Sequence, residues 1–270
     1  MLYKVLAALL VLLAVDSYKY LPLAYTIRFY NVVIGNLYFR KFKPTTSTSV
    51  FAINTRQDRC CILECDLFGL HKNNVTYFTD LDIARTDCAL RALSVYFQHC
   101  QKQKKGSIPF VPLASITNHF LKEIKPFQKY NTMTKIVGWG DKWIWLITLF
   151  TTKEVIKISQ GSESKFDYNS IVEIGESAPD SIPPLYTGYH KGDKVGERVM
   201  CVSVAKLVFK RGRETVAPSE IMRIAIANAS DSGKDIDSGK AIDDKGRAAA
   251  AVIAKEVNNP VVMMKLFEQA

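Results

Sequence analysis

The chain has 270 residues, 48% of them apolar, which is ample for a buried core and excludes a chain disordered throughout. Thirty-six Lys and Arg against 26 Asp and Glu leave a formal charge of +10, which favours an anionic partner: nucleic acid, phospholipid headgroups or a phosphate-bearing molecule. Six cysteines are too few for a disulfide scaffold, and none has zinc-finger spacing with histidines behind it, so they read as reduced thiols.

The first 43 residues differ from the rest. An apolar run from Val5 to Val15, bounded by Lys4 and Asp16, precedes a second largely apolar stretch from Tyr20 to Phe39. A helix crossing hydrocarbon needs roughly 20 residues, so the first run alone is too short to span. Six of the twelve tyrosines lie in this segment, a density that suits a water–hydrocarbon boundary, and Arg40, Lys41 and Lys43 close it as a basic stop. Residues 1–43 are therefore expected to be a retained membrane anchor or signal-anchor, at the endoplasmic reticulum or alternatively a mitochondrial membrane. A cleaved signal or presequence and ordinary helices of a soluble fold are the competing readings.

Pro44 to Ser49 reads as a linker into a folded α+β domain spanning residues 44–220. Val50 to Cys65 has the pattern of a hairpin or bent strand ending at Glu64-Cys65-Asp66. Asn73 and Asn74 offer caps for a helix from about Val75, on which Tyr77, Leu81, Ala84, Cys88, Ala92 and Val95 share one face while Asp82 with Arg85 and Asp87 with Arg91 pair on the other. Its expected length is about 23 residues. Residues 111–124, 130–139, 143–151 and 199–210 then read as strands. The third, apolar on both faces, belongs at the sheet centre, and the fourth alternates a buried face with a half-wet one carrying Val202, Val204 and Lys206. Gly140-Asp141 marks a hairpin. Residues 153–198 interrupt this meander as a long insertion. Residues 221–270 form a helical tail that holds a charged Gly/Asp/Lys linker over 231–247, with helices at Pro218–Ala229 and Arg247–Val257.

The strand-to-helix junction runs Asp66-Leu67-Phe68-Gly69-Leu70-His71-Lys72-Asn73-Asn74-Val75-Thr76-Tyr77, followed by Ala84-Arg85. This resembles the signature of the hot-dog-fold thioesterases: an Asp, then His-x-Asn-Asn-x-x-Tyr at the start of the central helix. Ile124-Lys125-Pro126-Phe127, Gly138 to Trp143 and Lys206 to Thr215 look like segments of the member-six-like and fungal branch. The resemblance covers roughly residues 45–152 and 199–220. It implies an antiparallel sheet wrapped around a long central helix, a homodimer, and hydrolysis of acyl-CoA or another acyl thioester without a cofactor beyond the coenzyme A of the substrate.

Thioester hydrolysis needs a carboxylate to activate water, or to attack directly, and donors for the developing oxyanion. The resemblance assigns the carboxylate to Asp66, with His71 and Asn73 positioning water or substrate. The start of the helix, around Asn74, Val75 and Tyr77, would hold the carbonyl oxygen, and Lys72, Lys206 and Arg211 would meet coenzyme A phosphates. Asp66 stands closer to His71 than in bacterial short-chain relatives, so Asp80, Asp82 and Asp87 on the helix are the fallback acids. No serine or cysteine triad, nucleic-acid-binding motif or metal set is evident. A catalytically inactive acyl-binding or scaffold protein of the same fold at a membrane is the alternative, and a hot-dog dehydratase a third.

Overall fold

The computed structural model describes residues 2–39, 50–68, 70–103, 109–152, 199–227 and 236–269. The expected linker at Pro44–Ser49, the basic stop at Arg40–Lys43 and the 153–198 insertion lie outside the described residues. Five antiparallel strands form one sheet in the order β1-β3-β4-β5-β2. They are β1 Asn54–Arg59, β2 Leu113–Phe120, β3 Lys129–Trp139, β4 Ile144–Thr151 and β5 Val199–Leu207. The four strands expected after the helix are all present, and β4 occupies the centre with every residue buried, as its two-sided apolar sequence requires. The Gly140-Asp141 hairpin joins β3 to β4, closed by the Gly140 N–H donating to Trp143 O at 2.9 Å. A two-stranded ribbon follows, β6 Phe209–Arg211 and β7 Glu214–Val216, turning at Gly212, whose φ of 64° suits a residue without a Cβ.

Across one face of the sheet lies helix α3, Thr76–Ala92, which breaks at Leu93 and continues as α4, Ser94–Lys102. Tyr77 and Leu81 pack with Phe150 and Cys201, while Ile83 and Cys88 pack with Ile136, Leu146 and Leu207. The expected charge pairs form, Arg85 to Asp82 at 3.3 Å and Arg91 to Asp87 at 2.8 Å. The helix is not a surface helix with one wet side, however. Asp80, Arg85 and Asp87 are buried too, because a second helix covers that side.

That second helix comes from the segment expected to be anchor. Helix α1, Leu2–Asp16, leads through a single 3-10 turn at Tyr18–Tyr20 into α2, Ala24–Ile34, and α2 packs along α3. Only α1 stands apart, with every described side chain from Leu2 to Leu13 exposed. Among the described residues no helix is long and apolar enough to cross a membrane. Residues 2–39 therefore divide between an apolar projection and a working layer of the fold.

The other face of the sheet also differs from expectation. Helices α6, Ile236–Glu256, and α7, Pro260–Gln269, cover it, while α5, Pro218–Ala227, packs on the α3 side. Ile253, Val262, Met263, Met264, Leu266 and Phe267 bury Met133, Trp145, Ile147, Leu149, Val202 and Val204, so the half-wet face of β5 is dry except at Lys206. Residues 236–247 are helical rather than linker. Their small residues are a packing device: a Cβ on Gly138 would meet Gly246 O at 2.6 Å, and one on Gly246 would meet the Trp139 ring at 2.6 Å. Asp243 accepts from Trp139 Nε1 at 2.7 Å, and Arg247 bridges Asp243 and Asp141. Because ring and backbone cannot yield, Gly246→Leu is expected to lower stability by about 1–3 kcal/mol or more in urea denaturation, and an unchanged midpoint would contradict this seam.

Candidate active site

The loop into α3 is pinned at its base. Cys65 pairs with Lys72 as an isolated antiparallel bridge, the Asp66 N–H donates to His71 O at 3.0 Å, and the Asn73 N–H donates to Glu64 O at 2.8 Å. Leu70 turns the chain back with a φ of 47°, a left-handed conformation that costs a leucine roughly 1–2 kcal/mol. The reversal returns His71 beside Asp66, with Nε2 3.4 Å from Oδ2 and both side chains about 30% exposed. His71 Nδ1 is buried without a hydrogen-bond partner among the described residues. The loop tip is apolar and open to solvent at Leu67, Phe68 and Leu70.

Asn73 organises the helix start. Its Oδ1 accepts the Val75 N–H at 2.9 Å, and its carbonyl accepts both the N–H and the hydroxyl of Thr76, at 2.9 and 2.7 Å. Asn74 and Val75 are exposed beside it. Tyr77 instead points inward, 2% exposed, with its ring 5.1 Å from Phe120 and 4.9 Å from Phe150. It belongs to the core rather than to a substrate surface.

Lys72 departs furthest from expectation. Its side chain is wholly buried, with Nζ 2.6 Å from Glu64 and 3.0 Å from Asp80, so it cannot meet a coenzyme A phosphate. It is part of a buried ionic network that sequence reasoning missed. Lys19 Nζ lies 2.7 Å from Asp58, 3.4 Å from Glu64 and 3.1 Å from the Tyr130 hydroxyl. Arg28 Nη2 reaches Asp58 at 3.0 Å and Asp80 at 3.2 Å, and the Tyr130 hydroxyl donates to Asp80. Three cations thus face three carboxylates, drawn from the N-terminal segment, β1, the Glu64 turn, the α3 approach and α3. Burial opposes the Lys72 charge, but Asp80 and Glu64 outweigh it and hold the ammonium above its ordinary value. Burial likewise opposes ionisation of Asp80, and Lys72, Lys19, Tyr130 and Arg28 overcome it to hold the carboxyl well below the usual range.

The other helix carboxylates are committed as well. Asp87 accepts from Asn36, Asn54, Arg56 and Arg91, and these partners outweigh burial to lower its pKa to about 2. Asp82 pairs with Arg85 and accepts from the Tyr25 hydroxyl. Lys206 is held 4.5 Å over the Trp145 ring on the sheet face opposite α3. Arg211 donates to Tyr96 of α4 at 3.4 Å, beyond the far end of α3, which is about 26 Å long at 1.5 Å per residue. Neither meets the Asp66 loop within this chain. Cys60 and Cys65 lie 3.6 Å apart, but burial raises both thiols and pushes neighbouring Cys61 up to about 12, which makes these poor nucleophiles at neutral pH. Among the described residues no group of three or more His, Cys, Asp or Glu could hold a metal ion.

A carboxyl with a depressed folded-state pKa contributes stability above its unfolded value of about 3.9, and that contribution is lost as pH falls toward the folded value. Asp80 and Asp87 both act in this sense, so unfolding free energy is expected to drop steeply between about pH 4 and pH 2. Lys72→Met leaves carboxylates uncompensated and should cost about 3–5 kcal/mol. It should also move the acid transition to higher pH in denaturant titrations, and a variant with unchanged stability and acid midpoint would overturn this account.

No family model matches the chain. Among curated proteins, the probable thioesterase YBR096W of Saccharomyces cerevisiae is 35% identical over 161 residues, covering 56% of this chain and 67% of that protein. The probable thioesterase atnL of Emericella nidulans is 28% identical over 185 residues, covering 60% and 50%. Protein THEM6 of Drosophila melanogaster is 30% identical over 123 residues, covering 46% and 58%. The chain spans half to two thirds of these relatives' own lengths. With the five-stranded antiparallel sheet packed on a central helix and the signature at the start of that helix, the match to the yeast protein establishes that the chain belongs to the hot-dog-fold thioesterase superfamily.

Proposed function

We propose that the chain hydrolyses acyl-CoA or a related acyl thioester with Asp66 as the acting carboxylate. One observation carries this reading: Asp66 stands part-exposed beside His71 in the loop that leads into α3, while Glu64, Asp80 and Asp87 are committed to buried pairs. Asp66 takes a proton from water as the water oxygen attacks the thioester carbonyl carbon. The carbonyl electron pair collects on oxygen, where backbone N–H groups and the positive end of α3 stabilise it. Collapse expels the coenzyme A thiolate, which takes the proton from Asp66. The part-exposed His71 ring beside Asp66 is suited to orient the water or the carbonyl, and Leu67, Phe68 and Leu70 supply apolar surface for an acyl chain. Asn73 contributes by fixing the backbone of the helix start.

Two further parts belong to this reading. The α1 helix, apolar on its exposed sides and too short to cross a bilayer, docks into one leaflet as a monotopic anchor. Strand β2, an edge strand paired only to β5 among the described residues, is the surface through which a second copy would extend the sheet.

Asp66→Asn in the full chain is expected to lower turnover across an acyl-CoA chain-length panel by about 10²-fold or more, with an unchanged melting temperature. Equal rates in the two proteins would remove Asp66 from the mechanism. Binding of acyl-CoA without turnover of any chain length would favour the inactive acyl-binding alternative. Replacing Leu6, Leu9 and Leu12 by Ser should abolish cosedimentation with phosphatidylcholine vesicles, and the detergent-solubilised protein should scatter light as a dimer. Retained sedimentation, or a monomer, would defeat the corresponding part.

A further inference from the structure

Away from the Asp66 loop, a cavity of about 240 Å³ lies between α2, β1 and α3. Its polar walls are Arg28, Arg56, Arg91, Asn31, Asn36 and Asp87, three guanidinium groups against one carboxylate. Asp87 is saturated: Oδ1 accepts from Asn36 and Arg91, and Oδ2 from Asn54 and Arg56. It therefore steers Arg56 and Arg91 through one nitrogen each, Nη1 and Nε, and a guanidinium has five donors. Arg28 is anchored through Nη2 to Asp58 and Asp80, but its Nη1 is buried with no hydrogen-bond partner among the described residues. A buried donor without an acceptor is costly, which leaves Arg28 incompletely satisfied beside the cavity.

Gly35 also lines the cavity, and an added Cβ there would meet nothing within 4 Å. The volume is below the roughly 300–1,000 Å³ of sites that enclose a drug-sized molecule, so the pocket suits one small charged group. Arg56 and Arg91 share the single carboxylate of Asp87, an excess of one positive charge, while Arg28 is balanced by Asp58 and Asp80. Paired guanidinium donors of this kind match a phosphate monoester, which carries about −1.5 to −2 at neutral pH and accepts paired N–H donors. We propose that this pocket binds a phosphate group, either free or at the end of a larger molecule. The inference stands whether or not the chain hydrolyses thioesters, because no residue of the pocket belongs to the Asp66 site.

Calorimetry on the full chain tests it with inorganic phosphate, with adenosine 3′,5′-bisphosphate, and with phosphatidylcholine vesicles containing phosphatidic acid against phosphatidylcholine alone. These arms distinguish a free ion, a nucleotide phosphate and a lipid headgroup. Gly35→Glu places a carboxylate over the guanidiniums at a position with ordinary helical dihedrals, φ −57° and ψ −43°. Arg56→Gln removes one cation and keeps a donor for Asp87. At least one probe is expected to bind wild type, tenfold or more weakly to Gly35→Glu and threefold or more weakly to Arg56→Gln, with melting temperatures near wild type. Binding of none of the probes, or equal affinity in a folded variant, would overturn the proposal.

Discussion

Six charges beneath the start of α3, four of them buried and Arg28 and Asp58 part-exposed, are the constraint on which the rest of the structure depends. Lys19, Arg28 and Lys72 balance Asp58, Glu64 and Asp80, and no ion among them could be buried alone without a penalty of several kcal/mol. The network holds the N-terminal segment against β1, the Glu64 turn and α3 in one register. Glu64 also accepts the Cys61 N–H at 2.8 Å and Lys72 Nζ at 2.6 Å, so it clamps both ends of the loop that carries Asp66 and His71. The part-exposed pair is thus mounted on a rigid buried base, which preorganised chemistry requires.

The sheet is closed on both faces by parts of this same chain. On one side α3 to α5 supply aromatic and aliphatic bulk; on the other, α6 approaches β3 closely enough to need glycine on both surfaces. Shape therefore decides the second contact as much as hydrophobicity does. It also leaves β2 as an edge of the five-stranded sheet, next to the helix start through Tyr77 and Phe120.

Strands β2 to β5 and the start of α3 were legible in the sequence because each carries its signal locally. β4 is continuously apolar, β5 alternates, and Asn73 precedes the helix by the spacing that lets its oxygen reach Val75 N–H. The Asp66–His71 pairing was legible only through family resemblance. Lys72 was misread because a lysine beside a site looks the same in sequence whether it faces solvent or a carboxylate. Its partners Glu64 and Asp80 sit eight residues away on either side, and Lys19 is 45 residues from Glu64. Residues 236–247 were misread for a related reason: Gly, Asp and Lys lack a hydrophobic period, and their helix is justified by Trp139 and Gly138, more than a hundred positions earlier.

The junction at Asp16–Lys19 sets the length of a leash. Asp16 accepts from Arg59 at 2.6 Å and from the Ile62 N–H at 3.0 Å, and Lys19 is locked in the interior three residues later. A chain of three residues reaches at most about 11 Å. The C-terminal end of α1 is therefore held against the folded body. The Asp66 loop leaves the same Ile62–Glu64 turn that Asp16 holds, so the end of α1 and the Asp66–His71 pair share one mount.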